Sequence, residues 1–255
     1  MDDLELAKHL AQTAGAILES HFAGARHVDL KRRFDPVTAA DHAAEAAVVA
    51  ELRLHRPHDG ILAEEGSGDA ATGRRWIVDP LDGTVNFVHR IPHISVSIAC
   101  YDGDEPLVGV VLDPLNGELF AAAKDAGATL NGERVGVSDV VDPAQAVMAL
   151  GFPYDHDVNA AIYAAAVERA LRRVNGLRRM GSAALDLAYV ACGRFDGYWE
   201  YHVEPWDMAA GALLVTEAGG RVSGIGGVGR GPTSGPILAS NGTLHDELIE
   251  ITGGS

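Results

Sequence analysis

Trp76-Ile-Val-Asp79-Pro-Leu-Asp82-Gly-Thr84-Val-Asn-Phe87 joins an apolar, strand-forming run to a turn that carries two carboxylates. Asp79 closes the run, Pro80 bars regular continuation and Asp82 follows three residues later. Both carboxylates and the Leu81 carbonyl between them can therefore converge on one hard cation. Gly83 lets the backbone come close to a ligand. Thr84 supplies a hydroxyl beside an expected helix N-terminus, whose free amide groups favour an anion such as phosphate. Asp, Pro and Gly also build ordinary surface turns, so the stretch has a plain structural reading too.

On either side of this turn, helical and strand patterns alternate. Leu4, Ala7, Ala11, Ala14 and Leu18 recur at helical spacing, as do Ala44, Val48, Val49 and Leu52 after Thr38. Ile61-Leu-Ala and Arg75 to Val78 read as strands, and residues 94–101 and 107–112 flank an Asp102-Gly103 hairpin signal. A further strand is expected over 119–122, which predicts a mixed, mostly antiparallel sheet. After Asp142-Pro143 the rhythm changes to helices near 157–174, 182–192 and 205–218, with short strands at 195–201 and 221–223. Two sub-domains sharing a cleft are expected: an α+β unit over 1–140 and a smaller α/β unit over 141–255.

Composition limits what such a cleft holds. With 20 Lys and Arg against 36 Asp and Glu, the formal net charge is -16, which argues against a nucleic-acid surface. A chain so acidic needs metal ions if it is to handle phosphates. Cys100 and Cys192 sit far apart in apolar stretches and read as free thiols in a reducing compartment. No apolar run approaches the ~20 residues of a membrane span. The acidic N-terminus lacks the order of a secretory signal, so a cytoplasmic location is expected.

Other acids compete for places beside Asp79 and Asp82. Glu64 and Glu65 follow a strand and precede Gly66, and either one can complete a cation shell or lie solvated in the loop. Asp207 follows Pro205 at the start of an Ala-rich helix, where an acid also complements the helix dipole. Thr38-Ala-Ala-Asp41 matches a capping box with the acid in the third helical position.

Together these segments resemble the inositol monophosphatase family of the Mg-dependent, lithium-sensitive phosphatases. The resemblance covers nearly the whole chain. It rests on residues 76–87, on Trp206-Asp207-Met-Ala-Ala-Gly211 running into Glu217-Ala-Gly-Gly220, and on Val37 to Glu45, Glu64-Glu65-Gly66 and Asn131 to Ser138. It implies the layered αβαβα sandwich shared with fructose-1,6-bisphosphatase. It also implies that Glu64, Asp79, Asp82, Asp207 and the Leu81 carbonyl hold two to three Mg²⁺ ions. Thr84 and Glu64 would orient the attacking water, with Asp41 hydrogen-bonded to Thr84. Gly83 and Thr84 amides would hold phosphate, and Gly181, Ala183 and Glu200, with Asp207, would meet the alcohol. The family's lysine matches Lys31 only with a one-residue gap, and Arg32 or Arg33 are alternatives.

The implied reaction is direct hydrolysis of a phosphate monoester without a covalent enzyme intermediate. The run from Arg178 to Glu200 is most similar to the bacterial inositol-1-monophosphatase branch, so a small phosphorylated polyol is the expected substrate. Histidinol phosphate, fructose 1,6-bisphosphate and phosphoadenosine nucleotides are the alternatives. A second phosphate would need a further cation, for which Arg178 and Arg179 are the candidates. Family resemblance also implies a homodimer and, in some bacterial members, a second role with the transcription machinery. His42, His89, His93 and His202 are read as structural or surface residues, because magnesium prefers oxygen donors.

Overall fold

The first helix, α1 (Asp3–Phe22), is capped by Asp2, whose side chain accepts from Glu5 N, and buries the Leu6, Leu10, Ala14 and Leu18 stripe. In this computed structural model the described residues are 1–24, 28–32, 35–67, 73–153, 156–229 and 231–253. After α1 come a short antiparallel pair, β1 (Val28–Arg32) and β2 (Asp35–Thr38), and then α2 (Ala39–His55). Thr38 and Asp41 form the expected capping box at the start of α2. One buried polar pair thereby fixes where the strand stops and the helix begins.

A seven-stranded sheet follows, in the order β3 (Gly60–Ala63), β4 (Arg74–Asp82), β5 (Ser95–Asp102), β6 (Glu105–Asp113), β7 (Glu118–Ala123), β8 (Gly127–Leu130) and β9 (Glu133–Val135). Helix α3 (Thr84–His89) lies between β4 and β5. Only β3 and β4 run parallel; the remaining neighbours are antiparallel, and from β5 onward they are successive hairpins, including the expected one at Asp102-Gly103. The sheet is buried on both faces. Trp76, Val78, Ile98 and Val110 pack under α1 and α2, whereas the alternate residues Ile77, Ala99, Val111 and Phe120 join a second core.

The second half contains β10 (Val147–Leu150), α4 (His156–Leu171), β11 (Gly176–Arg178), α5 (Ala183–Ala191), β12 (Gly197–Val203), α6 (Pro205–Glu217), β13 (Arg221–Ser223), β14 (Gly235–Ser240) and α7 (His245–Gly253). Its five strands lie in the order β11-β10-β12-β14-β13, parallel around β10 and antiparallel around β14. Helices α5 and α6 fill the space between the two sheets, and α4 and α7 cover the outer face of the smaller one. The result is the αβαβα layering that the family resemblance implies. Where α6 crosses β6 the backbones nearly touch: a Cβ on Gly109 would sit 2.9 Å from the Ala210 carbonyl oxygen. Only glycine permits that approach without moving the helix.

Several elements differ from the pattern. The strand expected over 195–201 runs from Gly197 to Val203, because Asp196 lies in the turn before it, its N–H bonded to the Val147 carbonyl and its carboxylate to Ser138 and the Val147 N–H. The helix expected to reach 174 ends at Leu171. Strands β10, β11 and β14 and helix α7 carry no clear periodic signal. None of the described helices is long and apolar enough to cross a membrane.

Candidate active site

β4 does not end cleanly at Asp79. It pairs with β5 through Asp79–Ser97, breaks register, and pairs again through Asp82–Ser95. Pro80 falls inside that irregularity, where a missing N–H costs the sheet nothing. The break keeps both carboxylates at the same strand end, and the Asp79 side chain closes the turn by accepting from the Leu81 N–H at 2.9 Å. Gly83 then adopts φ 95°, a left-handed conformation that launches α3 at Thr84. A Cβ on Gly83 would lie 3.1 Å from the Gly181 carbonyl oxygen and 3.2 Å from that of His93. The turn is thus pressed against the second half of the chain.

Asp82 is held from both sides. Its Oδ2 accepts from the Ser182 hydroxyl at 2.6 Å, the Ala184 N–H at 2.8 Å and the Ser95 hydroxyl at 3.3 Å. Thr84 Oγ1 lies 3.1 Å from the Leu81 carbonyl oxygen and 3.2 Å from Asp41 Oδ1, so its single hydrogen is shared between them. Asp41 Oδ2 in turn accepts from the Thr38 N–H and hydroxyl. The α2 cap and the β4 turn are one hydrogen-bonded unit. Asp207 enters from the first turn of α6, where it accepts from the Glu204 N–H at 2.7 Å and completes a capping box of its own.

Electrostatics reveals how close these acids are. Burial, and then the charges of Glu64, Asp82 and Asp207, push the Asp79 carboxyl well above the ordinary range. Asp207 is pushed well up by burial and by Asp82 and Glu64. Asp82 is raised by burial although the Ser182, Ala184 and Ala183 hydrogen bonds pull the other way. Four carboxylates from two halves of the chain therefore feel one another. Among the described residues no three His, Cys, Asp or Glu are arranged to hold a metal ion as they stand. The fit to a cation rests instead on donor chemistry: every contributor is a hard oxygen, and their shared repulsion is what a bound Mg²⁺ would neutralise.

Next to the acids, Gly181 adopts φ 94°, Ala183 opens α5 and Glu200 lies on β12 opposite Ile237. Burial raises the Glu200 carboxyl to about 7, opposed by a hydrogen bond from the Tyr198 hydroxyl and the charge of Arg179. The side chains of Lys31 and Arg32, and all of Arg33, lie outside the described residues. His42, His89 and His202 are exposed, whereas His93 is buried.

Sequence reasoning missed the residues that hold the site in place. Ser182 occupies the N-cap position of α5 yet makes no capping bond, because its hydroxyl goes to Asp82. Glu45 is buried and accepts the Glu65 and Ser67 N–H groups, pinning the loop that carries Glu64. Asn86 donates to the His93 and Met180 carbonyls at 2.8 Å each, bridging the halves. A serine at a helix start and an acid on an otherwise apolar helix face were visible signals. Their long-range partners were not.

Residues 2–254 match the model of the inositol monophosphatase family. The chain belongs to the inositol monophosphatase family. It is 41% identical over 257 residues to a protein of Pseudomonas aeruginosa named Nus factor SuhB, covering 96% of this chain and 94% of that one. It is 43% identical over 226 residues to an inositol-1-monophosphatase of Rhizobium meliloti, covering 88% and 85%. The crystal structure of extragenic suppressor protein SuhB from Bartonella henselae superposes with a TM-score of 0.93 at 38% identity, over 98% of both chains. Family membership supports phosphatase chemistry; it leaves the substrate open, since relatives at similar identity carry either name.

Proposed function

We propose that the protein is a Mg²⁺-dependent phosphate monoester hydrolase acting on inositol 1-phosphate and related polyol phosphates. The observation that carries the reading is the mutual electrostatic contact of Glu64, Asp79 and Asp82 with Asp207, beside the Thr84–Asp41 hydrogen bond. Glu64, Asp79, the Leu81 carbonyl, Asp82 and Asp207 would hold two to three Mg²⁺ ions, which supply charge neutralisation and a more acidic water when bound. Thr84, with its hydroxyl oriented by Asp41, and Glu64 direct the attacking water. Gly83 and Thr84 present backbone amides to phosphate oxygens. Gly181, Ala183 and Glu200 meet the alcohol, and a carboxylate at Glu200 accepts hydrogen bonds from ring hydroxyls. Four carboxylates need two divalent ions for neutrality, and a dianionic phosphate calls for a third that enters with substrate.

In this reading 1–140 and 141–255 act as two sub-domains that close one cytoplasmic active site, and the protein is a homodimer. Turnover on inositol 1-phosphate, histidinol phosphate, fructose 1,6-bisphosphate and a phosphoadenosine nucleotide, each with and without Mg²⁺, tests it. Inositol 1-phosphate should give the highest kcat/KM, and activity without Mg²⁺ on any of them overturns the metal assignment.

A second reading draws on the relatives named Nus factor SuhB. A transcription partner role would run through protein contacts, since a net charge of -16 opposes direct RNA binding. An Asp79→Asn variant that loses hydrolysis but keeps a measured complex with a purified Nus-type partner would establish it as separate from catalysis.

A further inference from the structure

Behind Asp82, His93 and Asp186 form a buried pair that none of these roles uses. Their side chains are 7% and 2% exposed, and His93 Nε2 stands 3.5 Å from Asp186 Oδ1. That separation is within ion-pair range and too long for a good hydrogen bond. Neither atom has a hydrogen-bond partner among the described residues. Buried polar atoms are almost always satisfied, so two orphans facing each other call for a reason beyond stability.

Their surroundings supply one. The Tyr189 ring packs edge-on to the imidazole at 5.8 Å between centroids, and Arg194 lies 4.7 Å over Tyr189, so the His93 ring is fixed in place. The His93 carbonyl accepts from Asn86 and abuts Gly83 of the catalytic turn. Two residues later, Ser95 donates to Asp82. Asp186 lies in the first turn of α5, and that same helix start supplies the Ser182 and Ala184 donors to Asp82. The pair therefore spans the two elements whose donors meet on one carboxylate oxygen.

From this juxtaposition we infer that His93 and Asp186 are positioning residues for Asp82, tying the segment that enters β5 to the first turn of α5 so that the carboxylate is aimed. The inference rests on the assignment of Asp82 to cation binding. A purely structural pair would affect melting alone; a positioning pair affects cation affinity in a protein that is still folded.

The test is Mn²⁺ titration followed by paramagnetic resonance on the full chain, with thermal melting and turnover measured in parallel. His93→Phe keeps the ring packing and Asp186→Asn keeps the shape, and each should weaken Mn²⁺ binding by roughly 10-fold, as losses behind a metal ligand do. The double variant should bind no more weakly than the worse single, because both remove the same link. Unchanged affinity in folded single variants, or losses that simply add, overturns the inference. If the singles fail to fold, His93→Phe combined with Asp186→Leu removes both poles and is read the same way. Wild-type protein that binds Mn²⁺ but hydrolyses no ester refutes the proposed activity and leaves the pair's role intact. Wild-type protein that binds no Mn²⁺ refutes both.

Discussion

Gly151→Ala is the sharpest test of Glu200 as the residue that reads the alcohol. Gly151 follows β10, and its N–H donates to the Trp199 carbonyl at 3.1 Å. Its backbone is outside the left-handed region, so alanine is unstrained there, but the new Cβ would lie 1.8 Å from Glu200 Oε2 and 2.3 Å from Cδ. Ordinary contact begins near 3.4 Å, so the carboxylate must retreat by about 1.5 Å. It cannot do so and keep its hydrogen bond from Tyr198. A hydrogen bond involving a charged group contributes about 1.5–3 kcal/mol, or roughly 10- to 150-fold in kcat/KM. The loss should fall on inositol 1-phosphate and spare p-nitrophenyl phosphate, which has no ring hydroxyl to recognise. Steady-state kinetics on both esters decides the matter. Equal losses on the two substrates, or none on either, would refute the role given to Glu200.

Asp79→Asn should lower turnover by at least ~100-fold while raising the melting temperature of metal-free protein at pH 8. The raised Asp79 carboxyl makes folding favour the protonated form, so metal-free stability is greatest below the unfolded carboxyl pKa and is lost as pH rises through the folded one. Calorimetry with and without Mg²⁺ checks this, and near-normal turnover would remove Asp79 from the site. His245 is completely buried between the Ser223 and Ser240 hydroxyls, and burial lowers it to about 4. The unfolded chain binds that proton first, so wild type should lose stability relative to His245→Gln as pH falls from about 6.5 to about 4, which urea unfolding at several pH values measures. Thr38→Ala removes the α2 cap and should cost ~1 kcal/mol in the same assay. A change below a few tenths would mean that Asp41 caps the helix unaided.

The turn at 79–84 and the two capped helices were legible because their signals are local. Pro80 between acids, Thr38 three residues before Asp41, and Pro205 two before Asp207 each fix a backbone geometry within one turn of chain. Strands β10 and β11 were hidden because they are three or four residues long and owe their form to pairing with neighbours, Val147 with Gly176 and Met148 with Gly197. No pattern within one segment encodes that. The same limit hid Ser182 behind Asp82, Glu200 against Gly151, and His93 against Asp186: each contact joins residues roughly 50 to 100 positions apart.

The dependence of Asp82 on Ser182 and Ala184 has a consequence for synthesis. As the chain leaves the ribosome, the turn at 79–84 is exposed about a hundred residues before its donors on α5 exist. The first sheet can pair its hairpins in that interval, since β5 to β9 are sequential neighbours. Its acidic end must wait. Nascent chains halted before residue 182 should therefore show protected hairpin amides with Asp82 held by Ser95 alone, and the mature geometry should appear in one late step when α5 and α6 pack between the sheets.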